Sequence, residues 1–419
     1  MKSIHAILLA AGKGTRMKSD LPKVLHELNG KAILDHVMGA LRCAGIRKIY
    51  VVAGYGEKEV RALIGNRAKM VRQMPQLGTA HAVLCAEKAI GIRNGLLLVL
   101  PGDAPCVHAE TIRAMVSGHG KSRASVTILT AEVENPFGYG RILRQDGNVI
   151  GVREELDASE TEREISEINS GIYLFDAHTL FEHLHRVRRN ARKSEYYLTD
   201  VIESFVESGL RVIGYQGSES EVLGINSRVD LAKLEKVMNI REIEKHQKNG
   251  VTVVAPCNTF IASGVAIGKD STIYPFSWIE QGVKIGQHCH IGPFAVIRRN
   301  SSISDEAIVG SFVEVVRSKI GKKTRVKHLS YIGDAELGEN VNIGAGTVTA
   351  NFDGVRKQKT VIQKGASIGS NTVLIAPVRI GKQAKTGAGS VVLGKFHIPA
   401  GKTAVGVPAR LIQKNRKRK

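Results

Sequence analysis

From Ile267 onward an aliphatic side chain recurs every sixth residue: Ile267, Ile273, Ile279, Ile285, Ile291, Ile297, Ile303, Val309 and Val315 keep step without a break. The phase slips by one and continues through Ile320, Val326 and Ile332, then slips again and reaches Leu337 and Ile343. After an interruption at about 349–360 it resumes at Ile362, Ile368, Leu374 and Ile380. A helix repeats at 3.6 residues and a strand at two, so neither explains a period of six. A triangular coil with three short sides does. Each aliphatic residue points into a stacked interior, and glycines such as Gly268, Gly286 and Gly292 help turn the corners. Each rung buries its face only on the next, so the array is quasi-one-dimensional. The interruption predicts a loop leaving the coil, where function often resides.

The first half has a different texture. Short apolar runs, Ile4–Leu9, Ile49–Val52, Leu96–Leu100 and Ser125–Leu129, alternate with amphipathic stretches such as Ile33–Cys43. That alternation predicts βαβ units and a mainly parallel sheet, with ligands bound beyond the carboxyl ends of the strands. Between the two patterns, Val229, Leu231, Leu234, Val237, Met238 and Ile240 recur near helical spacing, and Asn249-Gly250 supplies a stop. The expected division is an α/β domain over 1–226, a helical linker over 227–250, the coil over 251–410 and a basic tail over 411–419.

Two domains also suit 419 residues, and 43% apolar with 24% charged residues is a globular composition. No apolar run approaches the roughly 20 residues of a membrane helix. The opening MKSIHAILLAAGKG has too short an apolar stretch for an export signal and reads as a first buried strand. Five scattered cysteines (43, 85, 106, 257 and 289) with no C-x-x-C spacing predict reduced thiols in a cytoplasm and argue against a disulfide framework or a zinc site. The net charge of +21 is uneven: residues 1–226 carry 29 basic and 26 acidic side chains, residues 227–419 carry 31 and 13. The second half should attract anions. It lacks the aromatic-rich basic motif of single-strand binders, so no nucleic-acid partner is expected. The terminal KNRKRK reads as a solvated tail.

The first strand runs into Ala10-Ala11-Gly12-Lys13-Gly14-Thr15-Arg16-Met17. Small residues there let backbone N–H groups approach phosphate oxygens or a base. Arg16-Met17 fills the place of the third glycine of a dinucleotide fingerprint, and no G-K-[ST] follows, so this is neither that motif nor a P-loop. Downstream, Asp20-Leu21-Pro22-Lys23 returns a lysine toward the loop. Arg and Lys beside a backbone cradle suit a triphosphate undergoing phosphoryl or nucleotidyl transfer.

Taken in order, LLAAGKGTRM, LPKVL, Gln73, Gln76-Leu77-Gly78-Thr79-Ala80-His81-Ala82, Pro101-Gly102-Asp103, Gly138-Tyr139-Gly140-Arg141 and Glu167-Ile168-Asn169-Ser170-Gly171 resemble the sugar-nucleotide pyrophosphorylases. With the hexapeptide coil and His328-Leu329, nearly the whole chain resembles the bacterial N-acetylglucosamine-1-phosphate uridylyltransferase/glucosamine-1-phosphate acetyltransferase family. The resemblance implies an α/β Rossmann-like nucleotidyltransferase domain followed by a left-handed parallel β-helix. It implies UTP and acetyl-CoA as co-substrates, Mg2+ as cofactor, and a homotrimer assembled through the coil with a site between subunits. By matched position, Leu9, Ala10, Ala11, Gly12 and Gln73 would hold uracil and ribose, with Gly78 and Thr79 also at nucleotide-contacting positions. Arg16 and Lys23 would face the phosphates. Gly102 and Asp103 belong to the same site; Gly140, Glu154 and Asn169 would hold the sugar. Asp103 and Asn226 would hold Mg2+, which favours a carboxylate and an amide oxygen.

In the coil, His328 would be the general base on the 2-amino group of glucosamine 1-phosphate, with Glu314 orienting its imidazole. Arg298, Tyr331, Asn342 and Lys357 would bind the sugar phosphate. Ala345, Asn351, Phe352, Ser370 and Ala388 match acetyl-CoA contacts. The chain departs from the family where F-V-E-x-K is expected: Phe312-Val313-Glu314-Val315-Val316-Arg317 puts Val316 at the lysine. The coil is also short before Arg298, and its end, Val405-Gly406-Val407-Pro408-Ala409-Arg410, resembles other hexapeptide acyltransferases. These departures keep open a second reading, a single-activity nucleotidyltransferase whose coil only assembles the oligomer.

Overall fold

The computed structural model describes residues 3–92, 94–190 and 195–412, so the basic tail lies outside the described residues from position 413. The chain forms two compact units, Met1–Glu235 and Lys236–Lys419. The division falls inside the helix Arg228–Lys248, which occupies the stretch expected to connect the two patterns.

The first unit is built on a nine-stranded sheet whose spine runs Val212–Gln216, Val126–Glu132, Glu167–Asp176, Leu96–Pro101, Ile4–Ala10, Lys48–Ala53, Lys69–Arg72. A hairpin, Gly140–Gln145 with Asn148–Arg153, attaches at the Asn169 end of Glu167–Asp176. Within the spine, Glu167–Asp176 alone runs antiparallel to both neighbours. It follows the hairpin and a single helical turn at Glu160–Arg163 rather than a crossover helix, so it returns in the opposite sense. The central strands are buried on both faces. Ala6 and Leu8 pack with Leu34, Val37, Leu41 and Met115, while Ile7 packs with Val83, Ala86 and Phe175. Two-sided burial is why these strands read as unbroken apolar runs.

In the second unit three sheets of ten, eight and eight strands take every third strand in turn, except that the ten-stranded sheet ends on Arg410–Leu411, antiparallel to its predecessor Thr403–Val405. This is the left-handed parallel β-helix. The hexad residues from Ile273 to Ile380 all fall in one core, and Ile267 packs partly buried against it. Each phase slip removes one corner residue and no strand. Across the first, Ile303 still pairs with Ile320, Val309 with Val326 and Val315 with Ile332. Where 349–360 interrupts the repeat, a loop leaves after Val348–Ala350 and the coil resumes at Thr360–Ile362. Asp353 ties that loop: its carboxylate accepts from the backbone of Val355 and Arg356 and from Gln358, which holds its pKa down to about 2.

The outward columns differ by face. One sheet presents Phe260, Trp278, Val296, Glu314, Tyr331, Val348, Val373 and Val391 in register. Another presents Lys284, Ser302, Lys319 and Glu336, then Arg379 and His397. The first face is apolar around its two polar members; the second is a solvated face.

Candidate active site

A cavity of about 490 Å³ opens in the first unit beyond the ends of Ile4–Ala10 and Leu96–Pro101. Leu9, Ala10, Ala11 and Gly12 line one wall; Gln73, Gly78 and Thr79 line another. The Gln73 side chain is 3% exposed, and its Nε2 donates to the Gly78 carbonyl at 2.9 Å. Gly78 has φ +99°, and a Cβ there would lie 2.5 Å from the Tyr196 carbonyl oxygen, so only glycine fits. Gly102 lies behind the wall: its N–H donates to the Leu9 carbonyl at 2.9 Å, and a Cβ would meet that oxygen at 3.1 Å.

Lys23, Asp103 and Asn226 converge. The Lys23 ammonium donates to the Asp103 carboxylate and, at 3.1 Å, to Asn226 Oδ1. Two hard oxygens from distant parts of the chain thus face one point, and in this structure a cationic nitrogen stands there. The donor set fits Mg2+, which takes one or two protein oxygens and keeps the rest of its shell as water and phosphate. Among the described residues no three His, Cys, Asp or Glu side chains form an all-protein cage. Arg16 is exposed in the turn Thr15–Met17, outside the cavity lining. Its charge, like that of Asp103, is felt at the Tyr139 hydroxyl, whose pKa burial pushes up.

Glu154 and Asn169 line the far end of the cavity with Tyr173 and Thr199. Thr199 Oγ1 donates to Glu154 at 3.1 Å, and Asn169 Nδ2 donates to the Tyr173 hydroxyl at 2.6 Å. Burial drives the Tyr173 phenol strongly upward, so it stays protonated. Gly140 is the register partner of Asn169 and lies outside the lining. Sequence reasoning gave no role to Gln76, Tyr173 or Thr199. Gln76 stood inside a quoted motif, and its Nε2 donates to the Ala11 carbonyl at 2.6 Å. Tyr173 and Thr199 carry no local signal, because only the fold brings them to Asn169 and Glu154.

In the coil the assigned residues occupy adjoining faces. His328 is exposed at the end of the strand Arg325–His328, paired with Ser311. Leu329 takes the corner at φ +47°, and the same corner turns later at Gly346, Asn371 and Gly389. Ala345, Ser370 and Ala388 each immediately precede one of these turns; Asn371 donates to the Ala345 carbonyl and Gly389 to the Ser370 carbonyl. The expected acetyl-CoA contacts Ala345, Ser370 and Ala388 therefore follow His328 along one edge. Asn342 is exposed on the His328 sheet, in register with Arg325.

Arg298, Glu314 and Tyr331 stand on the next face. The Glu314 carboxylate accepts from Arg298 Nε, and within this chain, among the described residues, no hydrogen bond joins it to the His328 imidazole. The two residues lie on different sheets. Val316 is buried, and it follows Val315, which pairs with Ile297, the residue before Arg298. The neighbouring Arg317 turns away at φ +46° and clamps Asp334 through two hydrogen bonds of 2.7 Å. That clamp, with the Asn351 amide, holds the Asp334 carboxyl below its usual range. Arg317 is thus committed elsewhere. Lys357 is exposed on the loop, close enough to Asp334 to be felt there, and Phe352 is exposed beside Asn351.

Residues 6–192 match the MobA-like NTP transferase domain family. The chain is 44% identical over 423 residues to the "Bifunctional protein GlmU" of Geobacillus sp. (strain WCH70), covering 93% of this chain and 92% of that protein. It is 42% identical to the protein of that name from Geobacillus thermodenitrificans (98% and 97% covered) and 41% identical to that of Streptococcus agalactiae (96% and 95%). A solved UDP-glucose pyrophosphorylase is similar at 19% identity and a TM-score of 0.47, over 57% of this chain and 98% of that one. With identity above two-fifths over nearly the whole chain, the chain belongs to the bifunctional GlmU family.

Proposed function

We infer that the protein makes UDP-N-acetylglucosamine in two steps, acetylating glucosamine 1-phosphate in the coil and uridylylating the product in the α/β unit. The observation that supports it most is the near full-length identity to bifunctional relatives in a chain that carries both constellations. The single-activity reading is not favoured, since a coil used only for assembly needs neither His328 nor the column of small residues beyond it.

In the first step His328 accepts a proton as the 2-amino nitrogen attacks the thioester carbonyl, and coenzyme A leaves as the thiol. Arg298, Tyr331, Asn342 and Lys357 hold the sugar phosphate; Ala345, Asn351, Phe352, Ser370 and Ala388 hold acetyl-CoA. Outward side chains on adjoining faces of a convex coil diverge, so Tyr331 and Asn342 of one chain do not close on one small ligand. A second copy must supply the missing wall, and the apolar outward column from Phe260 to Val391 suits burial in a homotrimer.

In the second step the phosphate oxygen of N-acetylglucosamine 1-phosphate attacks the α-phosphorus of UTP in line, and pyrophosphate leaves. Leu9–Gly12, Gln73, Gly78 and Thr79 seat the nucleoside, Arg16 and Lys23 neutralise the phosphates, and Gly140, Glu154 and Asn169 seat the sugar. Positioning and charge neutralisation suffice, with no covalent intermediate. Asp103 and Asn226 would hold Mg2+, which supplies further neutralisation of phosphate charge. Lys23, which donates to Asp103 and Asn226 in this structure, would face the triphosphate. Among the described residues no helix is long and apolar enough to cross a membrane, and five free cysteines suit a cytoplasmic enzyme.

The test is a pair of assays on purified protein: pyrophosphate release from UTP plus N-acetylglucosamine 1-phosphate, and thiol release from acetyl-CoA plus glucosamine 1-phosphate. Asp103→Ala should cost the first activity at least tenfold in kcat, about 1.4 kcal/mol, and spare the second. Retention of more than a tenth of the first activity would remove Asp103 from the metal site.

A further inference from the structure

We propose that His81 is a positioning residue for base selection: it fixes the Gln73 amide so that Oε1 meets the base, favouring a pyrimidine with a ring N–H over one with a bare ring nitrogen. This rests on the uridylyl-transfer reading of the same cavity and adds a residue that the reading does not use.

The Gly78 carbonyl oxygen only accepts, so the Gln73 amide atom 2.9 Å from it must be the nitrogen. The same Nε2 lies 3.1 Å from His81 Nδ1. An amide nitrogen is donor-only, so Nδ1 accepts and the imidazole proton sits on Nε2, which faces Cys85 Sγ at 3.7 Å. Both Gln73 donors are therefore consumed inside the protein. Oε1 remains, and no hydrogen-bond partner for it exists among the described residues, although Gln73 lines the cavity.

The clamp is rigid for local reasons. The Gly78 carbonyl is fixed by a backbone that tolerates no Cβ beside Tyr196. His81 lies in the first turn of the helix Thr79–Ile90, whose start is anchored by Ala80 N–H donating to the Tyr196 carbonyl and Leu198 N–H donating to Thr79 Oγ1. Turning the amide over would set Oε1 against a carbonyl oxygen and Nδ1 against no donor. Uracil offers N3–H to Oε1. Cytosine offers an unprotonated N3, so two acceptors would face each other, and a site built for a hydrogen bond rejects the analogue that cannot make it.

The experiment measures kcat/KM of the full-length enzyme for UTP and for CTP, each with N-acetylglucosamine 1-phosphate, in wild type, His81→Leu, His81→Ala and His81→Asn. Asparagine keeps an acceptor at the δ position; leucine and alanine do not. Wild type should prefer UTP. His81→Leu should lower the UTP/CTP ratio about tenfold, mainly through the KM for UTP, the order expected for one lost hydrogen bond. His81→Asn should recover most of the ratio. If leucine disturbs folding, seen as a lowered thermal transition, the ratio in His81→Ala decides. Equal losses on both nucleotides, leaving the ratio within twofold of wild type, would overturn the proposal and reduce His81 to a structural residue. A wild type that releases no pyrophosphate from UTP contradicts the parent reading instead.

Discussion

Lys23 and Asp103 lie 80 positions apart, and Lys23 and Asn226 lie 203 apart, yet their side chains meet. The identity of these residues was legible in the sequence because each sits in a short motif at a strand end or turn. Their convergence was expected only through the family resemblance, since it depends on the sheet order that sets Ile4–Ala10 beside Leu96–Pro101. Thr199 and Tyr173 were missed for the same reason. His5 was illegible altogether: an early residue of the first strand, it is buried, stacked on Tyr50 at 5.8 Å, with both ring nitrogens unpartnered. Burial, then the charge of Lys48, lowers its pKa below the usual histidine value. A folded-state pKa below the unfolded one means that the unfolded chain binds the proton first, so stability is present above about pH 6.5 and lost as pH falls through the folded value. His5→Phe keeps the stack and removes the titration. Thermal melts between pH 5 and 8 should show the wild-type transition falling on the acid side more steeply than that of the variant. Each kcal/mol recovered appears as about 2–4 °C, and parallel pH profiles would show that His5 carries no such cost.

At the scale of elements, the hexad repeat was the most legible feature, because burying an aliphatic side chain on every rung leaves a mark that polar substitutions elsewhere cannot blur. The corners are less legible. Phe276, Phe294 and Phe312 take left-handed corners at φ 55–58° and stack with centroids 4.8 and 4.9 Å apart, where glycine or asparagine is the usual expectation. Val316 shows what such geometry decides. Sequence alone left open whether Arg317 could replace the expected lysine; the corner swings Arg317 onto Asp334, and Val316 stays buried after Val315, which pairs with Ile297. The wild-type enzyme should therefore bind glucosamine 1-phosphate weakly. Val316→Lys places a second cation beside Arg298, and one charge-assisted contact of about 1.5–3 kcal/mol corresponds to a KM lowered roughly tenfold to hundredfold with little change in kcat. An unchanged KM would show that another cation already holds the phosphate.

For the molecule as a whole, the change from alternating apolar runs to a period of six announced two units, and the structure divides at Glu235 and Lys236 within the helix that spans 228–248. Every uridylyl-transfer residue proposed lies before Ser227, so a fragment ending near Gly250 should retain that activity within about tenfold. A folded but inactive fragment would mean that the coil contributes to the first site. One polypeptide is expected to run both reactions in sequence. Incubating it with glucosamine 1-phosphate, acetyl-CoA, UTP and Mg2+, and following products by mass spectrometry, tests this directly. Coenzyme A, pyrophosphate and UDP-N-acetylglucosamine should form in equal amounts, His328→Ala should stop all three, and added N-acetylglucosamine 1-phosphate should restore the last two. Wild-type protein that yields UDP-N-acetylglucosamine only when N-acetylglucosamine 1-phosphate is supplied would show that the coil does not perform the acetyl transfer.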